Sequence, residues 1–370
     1  MNNIGFDDIL AMANIYLNAI QGKKKIEESD ISSIIKGLLH YSDPIIYKDL
    51  FERLCDDYLD RTDESVTHLS SDDVEPWLSN LNEIDFSYWN RYKKYLSKSD
   101  SSYPINDLDK ITNVILDKCV NPNIPGRWDR RGMVVGNVQS GKTANYIGLI
   151  NKAIDTGYKL IIVIAGSLGS LRIQTQLRVD SGVIGRNSAE YAFGNRDTKI
   201  GVGEYPIKGA EILSYTTSRL KPDSSGDDGD FSSSLAQKLN YRPGKNNPPI
   251  ILVIKKDYNI LENVINHMAS YSSEENEYGF PEIKNVPTLI IDDEADYASV
   301  NTTNSLNEFK RINRLIRILT NLFSQTTFIG YTATPYANLF IPQEFNEENY
   351  AFVKGVKYQI GPDLFPRHLL

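Results

Sequence analysis

The chain has 370 residues, 41% hydrophobic and 24% charged, which excludes a disordered polymer and is more than one ordinary core accommodates. Two cysteines, Cys55 and Cys119, and four histidines offer neither a disulfide framework nor a CxxC-type zinc site. The net charge of −8 is uneven: residues 1–120 hold 22 acids and 13 bases, leaving the remaining 250 close to neutral, so a phosphate backbone would be met by the second part rather than the first.

The chain opens on "MNNIGFDDIL", with acids where a secretory leader carries lysines, and no apolar run approaches the roughly 18 residues of a membrane span. A cytoplasmic protein without membrane contact is the expectation. Apolar residues then recur at threes and fours in "DDILAMANIYLNAI", "SDISSIIKGLLHY", "YKDLFERLCDDYLD" and "NDLDKITNVILDKCV", which predicts an all-helical N-terminal domain over residues 1–120. "VNPNIPGRW" (120–128) has the punctuation of a linker. Beyond it, over 121–370, short apolar runs ("MVV", "KLIIVIAG", "IILVI", "TLIIDD", "TTFIGYT") alternate with helical stretches. Such runs suit strands buried on both faces, and predict an α/β domain with a mainly parallel sheet.

The first strand runs into "GNVQSGKTANYIGLINKAI" (136–154), a Gly-x-x-x-x-Gly-Lys-Thr followed by a helix. Strand, glycine loop and helix together are the setting of a phosphate-binding loop, where backbone N–H groups of Gly136, Val138, Gln139, Ser140, Gly141, Lys142, Thr143 and Ala144 face a nucleotide. Lys142 would reach the β and γ phosphates and Thr143 would offer its hydroxyl to Mg2+, so ATP and Mg2+ are the expected ligands. The insert "SRLKPDSSGDDGDFSSSL" (218–235) reads as a mobile loop.

Further on, "TLIIDDEADYAS" (288–299) ends a buried strand in carboxylates at the sheet edge where the phosphate loop opens. Asp293 is the candidate for Mg2+ and Glu294 for the base that orients water; a strand one residue shorter would pass the metal to Asp292. The helix "LNEFKRINRLIRILTNLF" (306–323) sets Leu306, Phe309, Ile312, Leu315, Leu319 and Leu322 on one face against Lys310, Arg314 and Arg317, the pattern of a core-packing helix with a solvated side. In "FIGYTATPYANLF" (328–340), Thr332 and Thr334 on a turn after a strand would sense the γ phosphate, with Asp296 assisting the coupling.

Phosphate loop, then DEAD, then TAT resemble motifs I, II and III of the superfamily-two helicases and translocases, whose motor lobe is RecA-like. The blocks "GNVQSGKTANYIGLINKAIDTGYKLIIVIAG", "LRIQTQLRVDSGVIG", "ILVIKKDYNILENV", "IIDDEADYASVNT" and "GYTATPYANLFI" narrow the resemblance to the Z-one domain family. Those are bacterial proteins classed with endonucleases or helicase-like ATPases and encoded beside MutL/MORC-like GHKL ATPases, restriction-type nucleases and methylases. The resemblance spans roughly 125–365 and implies ATP-dependent work on DNA in a restriction or anti-phage defence system. It also implies a RecA-like first motor lobe at 121–370, a second lobe with an arginine finger beyond this chain, and weak hydrolysis by the chain alone.

By the same resemblance "SLGSLRIQTQLRVD" (167–180) stands where motif Ia holds strand phosphates, with Ser167, Arg172, Gln174, Thr175 and Arg178 as candidate nucleic-acid contacts. Lys255 and Lys256 are further candidates. Two rivals remain: a nuclease site on the triplet Glu282-Ile283-Lys284, with no upstream acid to complete it, and a nucleotide-gated scaffold that recruits a GHKL or nuclease partner without translocating.

Overall fold

A computed structural model of the protein describes residues 12–13, 16–17, 28–38, 54, 76–80, 84–101, 103–135, 141–192, 194–195, 198–221, 227–272, 274–295, 303–332 and 349–364, without the side chains of 28–29 and 303–309. The chain divides into two compact units, Met1–Leu69 and Ser70–Leu370. In the first, helix α1 (Glu28–Leu38) buries Ile31 and Ile35, one turn apart on a single face. Most of the other helices expected before residue 70 lie outside the described residues.

The second unit is α/β, built on a six-stranded sheet whose strand pairs are all parallel. Its strands are β1 (Trp128–Val135), β2 (Leu160–Ala165), β3 (Leu213–Ser214), β4 (Ile250–Lys255), β7 (Thr288–Asp292) and β8 (Gln325–Thr332), in the order β1-β8-β7-β2-β4-β3. Two short hairpins, β5–β6 (Glu274–Glu275 with Pro281–Glu282) and β9–β10 (Tyr350–Val353 with Val356–Gln359), stand apart from it. Strand β8 is therefore inserted between β1, which leads into the phosphate loop, and β7, which carries the acids. Register sets Val135 beside Thr332 and Asp292 beside Gly330, so three motif-bearing ends meet at one sheet edge.

The central strands are continuous apolar runs because helices cover both faces. On one face Ile161, Val163, Ile251, Val253, Leu289, Ile291 and Tyr331 pack with α4 (Lys142–Thr156) and with aromatics of α2 (Ser87–Ser99). Helix α3 (Ile105–Lys118) adds Leu108 and Leu116. On the other face Ile162, Ile164, Leu252, Ile254, Ile290 and Phe328 pack with α8 (Tyr258–Ala269) and α9 (Thr303–Asn321). In α9 Ile312, Leu315 and Leu319 are buried, as its periodicity predicts; Leu306 and Phe309 lie outside the described side chains.

Two features depart from the sequence reading. Helices α2 and α3 pack in the sheet-bearing unit, where Lys152 of α4 donates to the Asp109 backbone oxygen at 2.8 Å and to Asn113 Oδ1 at 2.6 Å. The Ser/Gly/Asp-rich insert is anchored rather than loose over its described residues: Phe231 is buried, Asp230 accepts from the Lys255 N–H at 3.1 Å, and α7 (Ser233–Leu239) begins on a Ser232 cap. Residues 222–226 of that insert lie outside the described residues.

Candidate functional site

Of the phosphate loop, Gly136, Val138, Gln139 and Ser140 lie outside the described residues. Its last turn is described. Gly141 takes φ +68° and ψ 22°, the left-handed region that a Cβ disfavours, and so turns the chain into α4. Lys142 and Thr143 are the first residues of that 15-residue helix, followed by Ala144, all half-buried where its unpaired N–H groups and positive dipole end lie.

One turn further, Tyr146 is buried. Its phenol donates to Asp293 Oδ2 at 3.1 Å, and Thr143 and Thr175 are close enough to the same phenol to favour its ionised form against burial. The two residues proposed to hold Mg2+ are thus linked through α4: Tyr146, which holds Asp293, stands three residues after Thr143 on the same helix. Tyr331 of β8 closes the arrangement from below: its hydroxyl donates to Asn145 Oδ1 at 2.8 Å and its ring lies edge-on to Tyr146 at 5.7 Å.

The two aspartates differ in partner because successive strand residues face opposite ways. Asp292, the last residue of β7, is buried against the Lys256 ammonium at 2.8 Å, which also donates to the Glu294 backbone oxygen at 2.7 Å. Asp293 lies on the side of Tyr146 and Lys142. Burial pushes its carboxyl up to about 6; the Tyr146 hydrogen bond opposes this, the charges of Glu294 and Asp292 add to it, and Lys142 opposes it. The turn carrying these acids is held at both sides, by the Asp293 N–H on the Ile164 oxygen at 2.9 Å and the Ala295 N–H on the Tyr331 oxygen at 3.1 Å.

Glu294 lies over Gly166 at the end of β2. A Cβ at Gly166 would stand 2.6 Å from Glu294 Oε2, so the carboxylate occupies room that a glycine leaves. Thr332 is buried at the end of β8; Asp296 and Thr334 lie outside the described residues.

Helix α5 (Gly169–Val179) corrects part of the expected nucleic-acid set. Arg172 is fully buried: Nε donates to Asp227 Oδ1 at 2.6 Å, Nη2 to the Thr217 oxygen at 2.9 Å and Nη1 to the Val253 oxygen at 3.3 Å. It braces the insert against β4 and presents no surface to a strand phosphate. Thr175 is likewise buried, against Tyr146. Ser167 is half-buried and Gln174 exposed. Arg178 is exposed, but its Nη1 donates to Thr143 Oγ1 at 3.0 Å, toward the phosphate loop. Lys256 is withdrawn from the surface by Asp292.

The ExK triplet is committed elsewhere, Glu282 to an ion pair with Arg127 and Lys284 to one with Glu274. Among the described residues no group of three or more His, Cys, Asp or Glu gathers as a metal site, and no helix is long and apolar enough to cross a membrane. Sequence reasoning missed Tyr146, Tyr331 and Asn145. The i, i+3 spacing of Thr143 and Tyr146 was the available signal, since it places a hydroxyl-tipped ring on the face that carries the threonine.

No protein-family model and no curated protein matches the chain. Among solved structures it is similar to a variant of Saccharomyces cerevisiae Dbp5 bound to Nup159, Gle1, IP6 and ADP, with 15% identity and a TM-score of 0.32. The likeness covers 66% of this chain and 46% of that one, so the chain spans less than half the length of that relative. At that TM-score it carries no argument about the site, which stands on its own geometry.

Proposed function

We propose that this chain binds ATP with Mg2+ at the N-terminus of α4 and hydrolyses it as the RecA-like lobe of a DNA translocase or helicase-like motor. The setting, a restriction or anti-phage system with a GHKL ATPase or nuclease as partner, follows from the resemblance to the Z-one domain family. The helical region 1–120 and a motor lobe from 121 onward belong to the same reading.

The observation that carries the proposal is the Tyr146 hydroxyl, which donates to Asp293 from the turn of α4 that follows Thr143, so that the carboxylate is held against the helix terminus. A hydroxyl and a single carboxylate fit Mg2+, which takes few protein ligands and completes its shell with phosphates and water. Magnesium supplies the positive charge that offsets the β and γ oxygens. Lys142 would add a side-chain cation to the helix N-terminus, Thr143 and Asp293 would hold the metal, and Glu294 would align a water for attack on the terminal phosphate. Thr332, the last residue of β8, would sense the γ phosphate from the strand between the two motif strands.

Calorimetric titration of the chain with Mg-ATP tests the phosphate site: measurable binding that Lys142→Ala abolishes supports it, and no binding by the unaltered chain overturns it. The burial of Arg172 and Thr175 favours a second reading, the nucleotide-gated scaffold, because it removes two of the five expected strand contacts. ATP turnover stimulated by DNA supports the motor. Turnover indifferent to DNA but raised by a GHKL or nuclease partner supports the scaffold.

A further inference from the structure

Arg178 sits on the last turn of α5, exposed, yet its guanidinium is directed inward at the hydroxyl of Thr143. That hydroxyl belongs to the second residue of α4, where Gly141, Lys142 and Thr143 turn the chain into the helix. We propose that Arg178 is a phosphate-binding residue of this site, contacting the terminal phosphate of a nucleoside triphosphate from within the same lobe. The inference rests on the phosphate-site reading above and extends it to the specificity of that site.

A guanidinium nitrogen 3.0 Å from Thr143 Oγ1 stands beside a hydroxyl that would help to hold Mg2+ with the phosphates. Were Thr143 Oγ1 to bind a dication, like-charge repulsion would release the Arg178 guanidinium from it. Its planar fork of donors then turns to the nearest anion, and bidentate Arg–phosphate pairing is among the stronger charge-assisted contacts.

The surrounding charges point the same way. Asp293 and Glu294 place two carboxylates at the site, and Lys256 is spent on Asp292. Even with Mg2+ bound, Lys142 alone would leave those acids and a triphosphate in excess; Arg178 adds a second side-chain cation. Its six-residue separation from Arg172 places the two arginines on different sides of α5, one braced inside and the other at the phosphates.

The test is calorimetric titration of Mg-ATP and Mg-ADP into the unaltered chain and into Arg178→Ala, Arg178→Lys and Lys142→Ala. ATP affinity should fall roughly 10- to 150-fold in Arg178→Ala, the range of a hydrogen bond to a charged group. ADP affinity should fall at least threefold less, and Arg178→Lys should recover part of the loss. Arg178 is exposed, so thermal unfolding of the alanine variant should match that of the parent; if it does not, the lysine variant supplies the comparison of ATP with ADP. ATP affinity within twofold of the parent, or equal losses for ATP and ADP, overturns the inference. If Lys142→Ala abolishes binding while Arg178→Ala leaves it intact and instead weakens DNA binding with a shallower salt dependence, Arg178 is a strand contact and only this inference falls. No nucleotide binding by the unaltered chain overturns both.

Discussion

Glu294 owes its place to a glycine, and that makes its role testable without touching it. Gly166→Ala would set a Cβ 2.6 Å from Glu294 Oε2 and 2.8 Å from Leu171 Cδ1, both ends of flexible side chains, so the fold should survive while the carboxylate moves. Misplacing a catalytic group by an ångström is costly, and hydrolysis should fall roughly tenfold or more, with ATP affinity nearly unchanged in titration. Unaltered turnover would show that Glu294 does not orient water. Glu294→Gln keeps the shape and removes the base; hydrolysis should drop by roughly 100-fold or more while ATP still binds. If Asp292→Asn instead causes that loss and Glu294→Gln does not, the roles along "DDEAD" shift by position, against the buried Lys256–Asp292 pair seen here.

Helix α5 is held by its middle. Arg172 joins it to Asp227 of the insert and to backbone oxygens of Thr217 and Val253, and each of its nitrogens is spent inside the protein. Removing one member of a buried pair leaves the other charge uncompensated, so Arg172→Ala should destabilise the chain by about 3–5 kcal/mol in urea unfolding. Arg172→Lys should rescue little, because an ammonium cannot span three acceptors held in a fork. A loss under about 1 kcal/mol, with DNA affinity reduced uniformly across sequences, would return Arg172 to the surface role that its position in the motif suggested.

The sheet-bearing unit as a whole carries buried carboxyls whose protons bind more tightly in the fold than in an open chain. Burial pushes Asp155 up to about 7, against the pull of the Tyr88 and Trp89 N–H groups it accepts at 3.0 and 2.9 Å, and pushes Asp180 and Asp230 each up to about 6. Between pH near 4 and these values the folded state holds more protons than the unfolded one, so their contribution to stability is full below that window and is lost as pH rises through it. Asp155 also caps the N-terminus of α2 from α4, tying the aromatic helix to the phosphate-loop helix. Asp155→Asn should therefore lower stability at pH 5 and flatten the decline between pH 5 and 7.5, read from urea midpoints; an unchanged slope would show that Asp155 titrates normally.

Strands β2, β4, β7 and β8 were legible in the amino-acid order because they are buried on both faces, which leaves an apolar run at the centre of each. The acids and the threonine pair were legible for a related reason, since each follows such a strand at its C-terminal end, and the glycine motif was legible from its own spacing after the apolar end of β1. Strand β1 extends back to Trp128 through Asp129, Arg130 and Arg131, unread because an edge strand tolerates charge, and β3 is too short to show a pattern. What tertiary structure alone decided is the fate of the polar side chains. Arg172 and Arg178 are the same residue type on the same helix, and Asp292 and Asp293 are neighbours, yet one of each pair is spent inside the fold and the other faces the N-terminal turns of α4, the proposed phosphate site. The composition and spacing of a segment state which charges exist; only the segments that fold across from it, here Asp227, Lys256 and Tyr146, determine which of those charges are neutralised and which remain to meet a ligand.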